Sequence, residues 1–315
     1  MNIQPYKTEI RTARTQEAPQ AEPLANSKTK DDTGTATSED SFQPRRATFL
    51  EAASVVGVGV GATVVTAKVL GQIASASTPA GVAMGVLGSL ASLAGGYMLA
   101  DAASAPFHWY IDNYPDGDTP VIGKVADSFQ GHHKDVHDLE KMDFVANMAQ
   151  TTPLSTLPML AVAALSPGIA LGSAAVGFFG GITIAQAGHR LTHVKQIPGW
   201  ARPIQGSLLQ SKQDHNDHHC QPHAGNYAII NGLTNPLFDK THVFRKMEKL
   251  IYDRTGKEPH TWLDPNLKAF AMGEISQAEY ENVANKNQGR KVYRKEIQQV
   301  FQRIEDRAAA AGAAG

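Results

Sequence analysis

A chain of 315 residues with a formal net charge of −1 has room for one large domain or two ordinary ones, and it offers no electrostatic reason to expect nucleic acid as a partner. Its single cysteine, Cys220, excludes an internal disulfide framework, a Cys-x-x-Cys zinc site and a dithiol redox pair. The mildly negative mean hydropathy is an average of very polar ends and a middle almost free of charge.

Residues 1–46 are rich in Thr, Ser, Gln, Pro, Ala and charge, with almost no large apolar side chains. Such a segment buries too little surface to offset the entropy of ordering, so a disordered leader is predicted. It lacks the apolar stretch of a cleavable secretory signal; a targeting leader of another kind and a plain linker both stay open. Residues 52–67 carry no charge, and after Lys68 none returns until Asp101. That allows two helices of about 20 residues, enough to cross a bilayer core of about 30 Å, with a break at residues 71–81. Ala, Gly and Val dominate over Leu, which suits close helix contact through small side chains.

Beyond Asp101, His108-Trp109 and Asp112 lead into a turn-rich piece at 115–120, where the chain leaves the apolar layer. The polar segment that follows, with His132, His133 and His137, belongs in water or at the interface. Residues 144–188 are again charge-free and divide at Pro167-Gly168, predicting a second hairpin whose first helix begins near Pro153 and whose second ends near His189. With four crossings, both polar ends and the 112–141 loop fall on one side. Arg45, Arg46 and the Lys/Arg-rich C-terminal part assign that side to the cytoplasm. The expected fold is therefore all-α: four transmembrane helices and a histidine-rich di-metal site capped by cytosolic helices.

The segment 212–223 concentrates the chemistry. If it is helical, His215, His218 and His219 share one face and His223 stands a turn further on. A solvated histidine-rich turn is the competing reading. Against it stand two further clusters, His189 and His193 at i, i+4 and the adjacent His132 and His133. Cys220 could be a ligand beside His219, although a small buried thiol is the commoner fate. Further on, residues 227–230 form a short apolar run, a strand or a loop against the membrane face. Val243, Phe244, Met247, Leu250 and Ile251 recur at helical spacing with Arg245, Lys246 and Lys249 among them, fitting an interfacial helix or core packing equally. Val292, Tyr293, Ile297, Val300, Phe301 and Ile304 predict a last amphipathic helix from Arg290.

Imidazole binds zinc, copper, iron and nickel, so ligand type does not choose the metal. Number is more informative. A catalytic zinc needs about three protein ligands, whereas His108, His132, His133, His189, His193, His215, His218 and His219 suffice for two ions with open positions. No His-Glu-x-x-His is present. Two irons at a membrane face would point to O2 activation and removal of hydrogen from an unactivated C–H bond. That chemistry needs a water-poor pocket, which a lipid chain entering from the bilayer would provide.

The ordered run His108-Trp109, Thr119-Pro120, Gly123, Phe129, His132-His133, His189-x-x-x-His193, Pro198, Ile204-Gln205, His215-x-x-His218-His219, His223, Gly232, Asn235 and the stretch from Phe244 to Pro259 resembles the Kua/CarF lipid desaturase family. That family contains plasmanylethanolamine desaturases and a plastid phosphatidylglycerol palmitate desaturase. The chain departs from the family's usual pattern at Met142, Leu191, Asp214 and Leu233, positions beside the core ligands. No ubiquitin-conjugating-like domain, as fused in some relatives, is expected after Pro259.

The resemblance implies two iron ions (Fe2+) ligated by the eight histidines, with His223 evenly placed between ligand and outer support, O2 as co-substrate, and no catalytic side chains beyond the ligands. Asp112, Asp143 and Asp217 are candidates to orient imidazoles, and His242 and His260 are expected at the surface. The substrate would be a membrane phospholipid, with electrons from an external haem or iron-sulfur carrier and its reductase, since no nicotinamide or flavin fold is seen. Vinyl-ether formation on an alkyl ether phospholipid comes first, acyl-chain desaturation second and hydroxylation third. A different class, a non-enzymatic membrane-inserting effector with a structural zinc site, is the alternative. The expected domains are 1–46, leader; 47–262, lipid desaturase domain; and 263–315, C-terminal helical tail.

Overall fold

The two charge-free stretches fold as two helical hairpins in a computed structural model that describes residues 45–136, 138–220 and 222–287. The leader up to residue 44, His137 and the helix expected from Arg290 lie outside those residues. Among the described residues regular structure is helical, with two isolated β-bridges and no strand.

Helix α1 (Phe49–Ala74) opens with a capping box, in which the Thr48 hydroxyl accepts from the Glu51 N–H and the Glu51 carboxylate accepts from the Thr48 N–H. A short turn leads to α2 (Pro79–Asn113), which starts at a proline behind the cap residue Thr78. The second hairpin is α5 (Thr152–Leu165) and α6 (Ile169–His193).

Contacts fix the helix directions. Ser54 bonds Thr152 at 2.6 Å, Gly57 faces Thr156, Gly61 faces Met159 and Lys68 reaches Ala163, so α1 and α5 run parallel. Ser89 bonds Ser173, Gly96 faces Ala174 and Gly181 faces Tyr97 and Ala100, so α2 and α6 are parallel too. The C-terminal ends of α2 and α6 therefore share one end of the bundle with the starts of α1 and α5. Close approach of α2 and α6 depends on glycine. A Cβ at Gly96 would collide with the Ala174 carbonyl, and one at Gly177 with that of Leu93, the small-residue packing expected where lipid supplies no hydrophobic drive between helices.

Helices α1, α2 and α6 are long and apolar enough to cross a membrane. The fourth apolar helix, α5, has 14 residues and rises about 21 Å, short of a core of about 30 Å. Its C-terminal end is met inside the bundle: Lys68 Nζ donates to the Ala163 carbonyl and the Ser166 hydroxyl, both at 2.6 Å, and Gln72 donates to the Pro167 carbonyl. Lys68, the one charged side chain between Glu51 and Asp101, thus satisfies carbonyls that a short helix leaves open.

The excess length of α2 positions the site. Its 35 residues rise about 52 Å, some 20 Å more than the core requires. The helix continues past Asp101 because that carboxylate is fully buried and satisfied, accepting from the N–H groups of Ile230, Asn231, Gly232 and Thr234 and from the Thr234 hydroxyl. Residues 227–230 are accordingly a buried loop, neither helix nor strand.

The remaining elements sit around this projecting end: α3 (Gly123–Lys134), α4 (Phe144–Met148), α7 (Lys212–His218), α8 (Asn235–Thr241), α9 (Val243–Thr255), α10 (Pro265–Met272) and α11 (Gln277–Asn287). The apolar face of α9 is core, since Val243, Phe244, Met247 and Ile251 pack on Trp109, Tyr114 and Tyr227. Glu248, fully buried, accepts from the indole N–H groups of Trp109 and Trp262 at 3.0 Å and pairs with Arg245 at 2.8 Å.

Candidate metal centre

Four helix ends deliver the histidines. In α2, His108 and Asp112 share a face at i, i+4, as do His189 and His193 in the last turn of α6. His132 and His133 end α3. Helix α7 is only seven residues, started by the Ser211 hydroxyl, which accepts from the Gln213 and Asp214 N–H groups; it carries His215 and His218, with His219 at its end.

These side chains form two groups. The first is His132, His189, His193, His215 and His219; the second is His108, Asp112, His133 and His218. Within each, one potential ligand atom per residue lies within 4.8 Å of all the others. Neighbours in sequence are split between groups, His132 from His133 and His219 from His218, so the groups lie side by side. The rings of His133 and His219 are 5.1 Å apart.

The donor atoms fit metal ions. In the first group His193 Nε2 lies 2.9 Å from His132 Nε2 and 2.7 Å from His215 Nε2, which is 2.9 Å from His219 Nε2. Nitrogens about 2.0–2.1 Å from a shared ion and at right angles to one another would be about 2.9 Å apart. Protons cannot satisfy the whole cluster, because a neutral imidazole carries a single N–H. His189 Nε2 is buried without a hydrogen-bond partner. In the second group Asp112 Oδ2 lies 3.2, 3.8 and 3.6 Å from the Nε2 atoms of His108, His133 and His218, and neither oxygen of this buried carboxylate has a hydrogen-bond partner. An unpaired buried carboxylate is costly, and a cation between it and three imidazoles removes the cost.

The outer contacts differ between the groups. His108 Nδ1 donates to the Tyr227 carbonyl at 3.0 Å and His218 Nδ1 to that of Gly225 at 2.8 Å, which leaves each Nε2 lone pair free for a metal. In the first group the Nδ1 atoms of His132, His215 and His219 have no hydrogen-bond partner, and His189 Nδ1 faces Gln186 Oε1 at 3.3 Å. Burial first, then the neighbouring imidazoles, pushes His132 down to about 3 and His219 to about 2; His133, His215 and His218 are held well below the ordinary histidine value for the same reasons. Neutral imidazole, the ligating form, is therefore the resident state.

Other expected residues fall elsewhere. His223 stacks on His133 at 4.3 Å and donates to the His218 carbonyl, belonging to neither group. Asp112, expected only to orient an imidazole, stands among the potential ligands. Asp143 instead caps α4 and accepts from the Ala47 N–H, while Asp217 is exposed and accepts from Gln213. Cys220 is exposed rather than buried, and outside both groups. His242 and His260, both expected at the surface, are half-buried; His242 bonds Gln277 and His260 donates to the Asp112 carbonyl. Gln186 also belongs to the site, and its place one turn before His189 is the only sign of it in the sequence.

A multi-pass helical membrane protein with paired histidine-rich groups able to hold metal is the class that this fold and site define. The lipid desaturase domain matches residues 97–262, more than half of the chain, and the chain belongs to that family, the Kua/CarF lipid desaturases. It is 34% identical over 187 residues to fatty acid desaturase 4, chloroplastic, of Arabidopsis thaliana, covering 58% of this chain and 57% of that one. It is 29% identical over 171 residues to the plasmanylethanolamine desaturase of Myxococcus xanthus (52% and 60% covered) and 26% identical over 179 residues to plasmanylethanolamine desaturase 1 of Mus musculus (52% and 65%). The chain thus spans less than two thirds of these relatives' length. No solved structure matches it.

Proposed function

We propose that the chain is an O2-dependent desaturase of a hydrocarbon chain in a membrane phospholipid, with one iron held by His132, His189, His193, His215 and His219 and a second by His108, Asp112, His133 and His218. The observation that carries this reading is the convergence of both groups at one end of an apolar bundle. Bound iron would supply O2 activation and hydrogen removal. Two hydrogens leave adjacent carbons, and with O2, two electrons and two protons give a double bond and two waters. The electrons come from a haem or iron-sulfur carrier.

The protein's own part is to hold and to exclude. Carbonyls of Tyr227 and Gly225 orient two imidazoles, and Gln186 faces a third. The buried rings of Trp109 and Tyr227 keep water from the second group. A structural zinc site, which takes four ligands, matches the second group in number but not the five histidines of the first. Arg45 and Arg46 at the histidine end support a cytoplasmic position for it.

Two chain chemistries fit the same site. The motifs put vinyl-ether formation first, and relatives of that name are 29% and 26% identical. The 34% identity to a plastid fatty acid desaturase favours an acyl chain, which reverses that order. Lipid mass spectrometry of a host with and without the gene, combined with iron analysis of the purified protein, tests both levels. An acid-stable new double bond supports the acyl reading and an acid-labile one the vinyl ether. An active preparation without iron would refute the metal assignment.

A further inference from the structure

Two cavities meet at one ring. The first, of about 20 Å³, lies between the ligand groups, walled by His108, His132, His133, His189, Leu139 and Phe129; it has room for roughly one water-sized molecule. The second, of about 200 Å³, opens among α2, α5 and α6 and is walled by Ala103, Phe107, Leu154, Ile182, Ile229 and, again, Phe129. Phe129 makes T-shaped contacts with His108 at 5.4 Å between ring centres and with Phe107 at 6.1 Å.

Resting on the desaturase reading above, we propose that the larger cavity receives a hydrocarbon chain of a bilayer phospholipid, and that Phe129 is the positioning residue that sets how far the chain advances towards the histidines. The wall is apolar except for Ser104 and Thr151, and the Ser104 hydroxyl is already engaged with the Asp101 carbonyl and the Ile229 N–H. The Thr151 hydroxyl is buried there without a hydrogen-bond partner, but one hydroxyl does not repay the desolvation of a charged or multiply polar occupant. The cavity is continuous with the lipid-facing surface, since its rim residues Leu154 and Phe107 are 57% and 41% exposed. A chain leaving the bilayer between α2 and α5 would thus exchange one apolar surrounding for another.

The test is photo-crosslinking of the full chain in phospholipid nanodiscs, with a phospholipid bearing a diazirine along one chain, before and after removal of metal by a chelator. Adducts are expected on Phe107, Leu154 and Ile182 in both states. Ala103→Phe, which fills the cavity from an exposed position, should lower them about tenfold, with Leu154→Trp as a second block. Phe129→Ala should carry adducts through to Leu139 and move the double bond along the product chain. Adducts confined to the outward residues Leu87 and Leu90, labelling unmoved by either block, or preferential capture of a free diazirine fatty acid would overturn the assignment. Cavity labelling without any desaturated product would leave the chain site standing and remove the activity; product without cavity labelling would do the reverse.

Discussion

The two ligand groups share the ends of α3 and α7, to which the first adds α6 and the second α2, and they differ in charge and in support. The first holds five imidazoles and no carboxylate; the second holds three and the buried Asp112. In the second, main-chain carbonyls of Tyr227 and Gly225 hold two rings, whereas three rings of the first have an Nδ1 with no hydrogen-bond partner. The first group would offer an ion five neutral donors, and the second four donors of which one is an anion that would offset part of the ion's charge, so the two groups are unlike in what they would hold.

Removing a ligand from either group breaks the comparison most sharply. His215→Ala should lower turnover by more than about 100-fold, beyond the range found for outer-shell partners, and cost about one ion per chain. Asp112→Asn, which preserves shape and removes charge, should cost the other ion with a similar loss of turnover. Iron content and lipid product measured on the same preparations decide, and loss of both ions from either single variant would mean the groups do not fill independently.

The second group also depends on the cap. Trp109, next to His108, is held by Glu248, whose carboxylate balances the buried Arg245. Glu248→Leu leaves that guanidinium buried and unpaired and should cost about 3–5 kcal/mol, visible as an earlier thermal transition and earlier loss of the second ion. Unchanged melting would show that α9 does not support the site. A smaller effect is expected from Gln186→Ala, which removes the polar partner of His189 and should weaken the first group's affinity by about tenfold. Chelator competition would measure it.

Acid gives the mildest contrast. Without metal, burial and then the neighbouring imidazoles hold His132 down to about 3 and His219 to about 2, against about 6.5 unfolded. Between those values the unfolded chain binds more protons, so stability is present above about pH 6.5 and is lost progressively as pH falls. Melting at about pH 7.5 and about pH 5.5 should show a lower transition in acid, and added iron should oppose the shift; a higher transition in acid would contradict buried neutral rings.

Much of this was legible in the residues. The charge-free stretches announced both hairpins, and the spacing of His189 with His193 and of His215 with His218 and His219 marked the ligand-bearing faces, because helical periodicity is a local property. The limits of α5 were legible too, from near Pro153 to the Pro167-Gly168 break, but nothing local says that Lys68 and Gln72 will meet the carbonyls of Ala163 and Pro167. Nor was the status of Asp112 legible, since it resembles any surface aspartate until α3 and α7 close over it.

The linear order of residues by itself determined that this is a helical membrane protein with more histidines in register than scattered chance would place, since hydropathy and periodicity act over a few turns. Only the tertiary structure decided that adjacent histidines part company, His132 from His133 and His218 from His219, and that a carboxylate completes one of the two groups. Those outcomes depend on which helix ends meet, and that is set by packing between segments as far apart in the chain as Asp101 and Thr234.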